Sequence, residues 1–229
     1  MIFYDRSDQE IDKKEWIKEF ECYYFLGGLT YGHRVNIGNQ GSKFIEEKIE
    51  QILHRGLQIN DLPLVIAWKI GAINHPASEY QQNIIYKNQF DQNFQLKTHF
   101  GLMNAGNIIN YCQNNFEELL ANDNAENVFS ELYNNRGKGN RFGIVYCLAL
   151  LYFFTQGRWP IYDKYAHIAL DAILSNRQPG ELIRYNQIND WQDYYEKYVK
   201  KIKNIFGAQN IPRNLDRSLW VYGHFFKVN

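Results

Sequence analysis

The chain has 229 residues, and its 25 Lys+Arg are balanced by 25 Asp+Glu. With 45% hydrophobic and 22% charged residues it has the composition of a folded globular protein, of a length for one domain or two joined lobes. A net charge of zero excludes a surface coated in positive potential and leaves room for a local basic patch.

The predicted elements are helical. "DKKEWIKEFECYYFLGG" places Trp16, Ile17, Phe20 and Tyr24 near helical spacing, and Gly27-Gly28 ends the run. "SKFIEEKIEQILHRGLQ" starts at Ser42 as N-cap, buries Phe44, Ile45, Ile49, Ile52 and Leu53, and stops at Gly56. "DLPLVIAWKIGAI" has Asp61 or Leu62 at its cap and Pro63 in its first turn. Lys69 sits inside that apolar stripe, either snorkelling or as a buried functional cation. Residues 75–107 are Gln/Asn-rich and predict short helices and loops. "NNFEELLANDNAENVFSELYNN" gives two short helices split at Asn122-Asp123-Asn124. A glycine turn then leads into the apolar run "IVYCLALLYFF", a buried core helix. A helix from 163 to about 175 follows, then a loop at Gln178-Pro179-Gly180 and a helix through "DWQDYYEKYVKKIKNIFG". Sustained strand alternation is absent and Pro is sparse, so the fold class is all-α with many short helices.

Three scattered cysteines, Cys22, Cys112 and Cys147, form no CxxC pair. A zinc or four-cysteine iron–sulfur site is therefore not expected, no metal or cofactor is assigned, and a reduced cytoplasmic setting is. The opening residues are too charged for a signal peptide. The longest apolar run falls short of the roughly 20 residues needed to span a bilayer. No membrane partner is expected.

Residues 134–162 gather Arg136, Lys138, Arg141 and Arg158 without one Asp or Glu. Gly137 and Gly139 flank Lys138 between two helices. A G-x-G turn there can expose successive backbone N–H groups, and the following helix adds its positive N-terminal end. Such a nest holds phosphate and positions a nucleic acid without reading its bases. Asp163 follows Pro160-Ile161-Tyr162 and opens the next helix, as an N-cap or as a functional acid kept ionised by the helix dipole.

"GKGNRFGIVYCLALL…RWPIYDKYAHIAL" resembles the signature of the helix-hairpin-helix DNA glycosylase superfamily: a G-x-G hairpin that binds the DNA backbone, followed by a catalytic aspartate opening a helix. "P-I-Y-D" is similar to the "P-I-L-D" of adenine glycosylases. "PRNLDRSLWVYGH" and "LVIAWKIG" resemble a compact branch related to oxidised-guanine glycosylases. The resemblance covers residues 136–170. It implies a single compact helical unit of two lobes over 1–229, with the hairpin at about 125–155 and the aspartate loop and helix at about 156–175. Cradle and acid would face the same gap.

The pattern departs from the family in three respects, one being that the cluster cysteines of some members are missing. The spacing from hairpin to aspartate is a few residues longer than in the adenine enzymes. Lyase-active members place a lysine where this chain has Arg141, and arginine cannot serve as an amine nucleophile. The resemblance therefore implies a monofunctional enzyme, with Lys138 and Lys69 as outside candidates for a displaced lysine. Asp163 is its catalytic acid, with Arg141 as a phosphate contact or structural replacement. Arg136, Gly137, Lys138 and Gly139 contact phosphate. Trp68, Trp159, Tyr162 and Trp220 are candidate walls of a base pocket, and His167 and Asp216 candidate polar groups within it. His167 can alternatively pair with Asp163 on the helix face. The partner is double-stranded DNA carrying a damaged or modified base, met by a monomer, in repair or in defence against phage DNA. The alternative is a non-catalytic DNA-binding module on the same scaffold, and a further one is an unrelated helical fold in which Asp163 is only a cap.

Overall fold

The computed structural model describes residues 1–26, 29–31, 35–37, 43–73, 84–86, 94–98, 101–137 and 142–229. The chain is mostly helical. It divides into two compact units, one formed by Met1–Lys43 with Tyr162–Asn229 and the other by Phe44–Ile161.

In the first unit, β1 (Phe3–Tyr4) pairs antiparallel with β2 (Glu10–Ile11), Phe3 opposite Ile11. Helix α1 (Lys13–Leu26) buries Trp16 and Phe20, one helical turn apart, and β3 (Leu29–Tyr31) pairs antiparallel with β4 (Val35–Ile37).

The second unit holds α2 (Lys43–Arg55), a 3-10 turn (Ile59–Asp61) and α3 (Leu62–Lys69), with Pro63 in the first turn of α3 as predicted. Next come β5 (Gln95–Thr98) and β6 (Gly101–Asn104), then α4 (Gly106–Asn114), α5 (Phe116–Ala121), α6 (Ala125–Asn135) and α7 (Ile144–Phe154). The break at Asn122-Asp123-Asn124 is a helix cap: the Asn124 side chain accepts from the backbone N–H groups of Glu126 and Asn127. Helix α7 is apolar all round, and every residue from Cys147 to Phe154 is buried. It packs against α3 and α6 as the centre of this unit's core.

The chain then returns to the first unit through α8 (Lys164–Leu174), β7 (Leu182–Ile183) and α9 (Trp191–Tyr194). A π-helical turn (Tyr195–Val199) joins α9 to α10 (Lys200–Phe206). Helix α11 (Arg213–Gly223) and β8 (Lys227–Val228), parallel to β7, complete it. Helix α11 packs on both α1 and α8. At its closest approach to α8 only glycine fits: a Cβ on Gly223 would lie 1.9 Å from the Tyr165 carbonyl oxygen. On the α1 side, Ser218 Oγ donates to the Ile17 carbonyl at 2.8 Å and Arg217 pairs with Glu21.

Two elements differ from the sequence expectation. Among residues 75–107, predicted as short helices and loops, β5 and β6 form an antiparallel hairpin with Leu96 opposite Met103, both buried. Helix α4 is an additional helix made by burial of Ile108, Ile109 and Cys112 in an Asn-rich segment. The Gly27-Gly28 stop and the Ser42 cap lie outside the described residues. Among the described residues no helix is long and apolar enough to cross a membrane.

Candidate functional site

Asp163 is the N-cap of α8. Its backbone is extended (φ −141°, ψ 145°), its side chain is half-buried, and Oδ1 accepts the Tyr165 N–H at 2.9 Å. The apolar run of α8, with Ala166, Ile168, Ala169 and Leu170 buried, fixes the helix in the core and so holds its first residue in place. The negative charge of Asp163 is felt by the Tyr162, Tyr185 and Tyr198 hydroxyls and by the His224 ring.

A polar chain runs through the buried Tyr162 and His167 to half-buried groups at either end. Tyr162 Oη is 2.8 Å from Tyr185 Oη and 3.3 Å from His167 Nδ1. Lys201 Nζ is 3.0 Å from His167 Nε2 and also pairs with Asp171. His167 is fully buried. Burial, with the positive charges of Lys201 and Lys197, lowers its pKa to about 3, so the ring is neutral. Burial also pushes the Tyr162 hydroxyl far up, reinforced by Tyr185. The predicted side-chain pairing of His167 with Asp163 gives way to this chain: the acid within reach of the ring is Asp171, 3.6 Å from Nε2. The two residues at i+4 on either side were equally available by spacing, and Lys201, from α10, draws the ring toward Asp171.

Trp220 is half-buried, with Tyr24 and Tyr165 edge-on at 5.7 and 6.2 Å. His224 stacks on Tyr165 at 3.4 Å, and its Nδ1–H donates to the Trp220 carbonyl at 2.8 Å. Asp216, a candidate base contact, is buried and paired with Arg213 one turn earlier.

The remaining candidates belong to the second unit. Gly137 has φ +89°, the left-handed conformation that glycine supplies without strain. The Arg136 guanidinium stacks 3.4 Å over the Tyr133 ring and donates to the Tyr133 carbonyl. Gly143 provides no side-chain cap for α7. Lys138, Gly139 and Arg141 lie outside the described residues. Trp68 Nε1–H donates to Glu46 Oε1 at 3.0 Å, Glu46 being only 2% exposed, and the indole meets Phe153 edge-on at 5.9 Å. Trp159 is half-buried. Lys69, at the end of α3, borders a shallow apolar groove with Ile66, Phe142, Tyr146, Leu150 and Phe153.

Sequence reasoning named Asp163, Tyr162 and His167 but missed Tyr185, Asp171, Lys201 and His224. Asp171 was within reach, since His-x-x-x-Asp on a helix is a pairing signal. Lys201 and Tyr185 come from other elements and carry no local signature. Among the described residues, no group of three His, Cys, Asp or Glu side chains could hold a metal ion. Comparison with protein-family models, with curated proteins and with solved structures gives no match.

Proposed function

We propose that this chain is a monofunctional DNA glycosylase acting on a damaged or modified base in duplex DNA. The observation that carries the reading is Asp163: a half-buried carboxylate at the start of α8, whose charge is felt by Tyr185 and His224, at the position where the sequence resembles the glycosylase signature. The positive φ of Gly137 and the start of α7, which carries no side-chain cap among the described residues, support a backbone cradle for phosphate.

In the reaction the target nucleotide leaves the base stack. The bond between base and C1′ breaks, its electron pair departs with the base, and positive charge builds on the sugar. The Asp163 carboxylate stabilises that charge and orients the water whose oxygen forms the new bond to C1′. The water's proton goes to solvent by way of the carboxylate, and the departing base takes up a proton. Arg141 cannot form a Schiff base, so the DNA strand stays intact.

The capping bond to Tyr165 favours a second reading, a non-catalytic DNA-binding module in which Asp163 serves the helix alone. A panel of duplexes, each with one modified base and including phage DNA with modified cytosines, separates the two. Strand cleavage that appears only after hot alkali supports the glycosylase and names its substrate. Binding with no alkali-labile site on any duplex supports the module.

A further inference from the structure

We infer that the partly buried chain Lys201–His167–Tyr162–Tyr185 is a hydrogen-bond relay of fixed direction that presents the Tyr185 hydroxyl as a donor on the Asp163 side of α8, making Tyr185 a positioning residue. Its use in base release rests on the glycosylase reading; its direction does not.

The direction follows from donor and acceptor inventory. An ammonium has only donors. Lys201, held by Asp171, therefore donates to His167 Nε2, 3.0 Å away, which makes Nε2 the acceptor. The ring is neutral and buried, so its one proton sits on Nδ1. The acceptors facing the ring are Tyr162 Oη, 3.3 Å from Nδ1, the Lys197 backbone carbonyl, and Asp171 Oδ2, 3.6 Å from the Nε2 that the closer Lys201 ammonium already occupies. Tyr162 Oη, accepting from histidine, turns its own proton to Tyr185 Oη at 2.8 Å. The Tyr185 proton then points out of the relay. Its ring is half-buried, lies 5.3 Å from the Lys164 ammonium next to Asp163, and feels the Asp163 charge. The proton is thereby offered to an oxygen of the ligand on which Asp163 acts. The π-helical turn at Tyr195–Val199 places Lys197 and Tyr198 against the His167 ring, with Tyr198 5.8 Å away edge-on.

Removing the Lys201 donor reverses the relay. The His167 proton moves to Nε2 and donates to Asp171. Nδ1 then accepts from Tyr162, and the Tyr185 proton turns inward to Tyr162. Lys201→Met and Tyr185→Phe therefore produce the same defect by different routes.

Nitrogen-15 NMR of the full chain with labelled histidine reads the direction: His167 protonated on Nδ1 and unchanged between pH 5 and pH 9, switched to Nε2 in Lys201→Met, and restored in Lys201→Arg, which keeps a donor. Kinetics on the duplex that the alkali panel identifies read the use: Tyr185→Phe and Lys201→Met each lower kcat about tenfold to a hundredfold with KM unchanged. The double variant is no slower than Tyr185→Phe alone. A wild-type His167 protonated on Nε2 overturns the relay whatever the activity. An Nδ1 proton with normal kcat in both variants overturns the positioning role and leaves the glycosylase standing. An Nδ1 proton in a protein that releases no base supports the relay and removes the glycosylase reading.

Discussion

The Tyr165 backbone N–H donates to Asp163 Oδ1 across 2.9 Å, so the acid at the start of α8 also caps that helix. Asparagine caps as well as aspartate does, whereas alanine does not. Asp163→Asn is expected to keep folding stability within about 0.5 kcal/mol of wild type, and Asp163→Ala to lose about 1 kcal/mol. Urea melts of both variants check this. Equal losses would contradict the capping role.

Gly223 is the point where α11 meets the backbone of α8. A methyl group there would stand 1.9 Å from the Tyr165 carbonyl oxygen, and backbone cannot yield as a side-chain tip can. Gly223→Ala is expected to cost 3 kcal/mol or more, at roughly the upper end for overpacking. A thermal midpoint within a degree of wild type would show that the two helices separate freely.

His167 makes stability depend on pH. Its folded pKa of about 3 lies below the ordinary 6.5 because of burial and then the Lys201 and Lys197 charges. Between these values the unfolded chain holds the proton and the folded chain does not. The stability is complete above about pH 6.5 and is lost as pH falls toward 3, by up to about 1.4 kcal/mol per unit. His224, its pKa also lowered mainly by burial, adds a slope of the same sign. His167→Gln should flatten the profile between pH 4 and pH 6.5 in urea melts. An unchanged slope would show that the ring is protonated in the fold.

Much of the helical frame was legible because its signals are local. The apolar run Ile144–Phe154 is α7, the break at Asn122-Asp123-Asn124 separates α5 from α6, and Asp163 opens α8. The β5–β6 hairpin was not legible: strands of four residues give alternation too little length to register, although Leu96 and Met103 are buried. Helix α4 forms from residues of poor helix propensity through tertiary burial of one stripe. The same limit hid most of the site. Asp163 and His167 stand out on their own helix, but Lys201 lies 34 residues from His167 and Tyr185 23 from Tyr162. Only the packing of α10 and of the segment after β7 brings them together.

The hairpin's part in binding is tested with Lys138. Lys138→Glu is expected to weaken binding to every duplex alike and to reduce the slope of log affinity against log salt by about one or more. Fluorescence anisotropy across a salt series measures both. Unchanged affinity at low salt would remove Lys138 from the DNA contact.

The central claim is that the Asp163 charge drives base release. Single-turnover release from the duplex identified by the alkali panel, compared between wild type and Asp163→Asn, measures it directly. The account predicts a loss of at least about 100-fold in rate with duplex affinity and fold retained. Release by the Asn variant at the wild-type rate would contradict it and leave Asp163 as a helix cap alone.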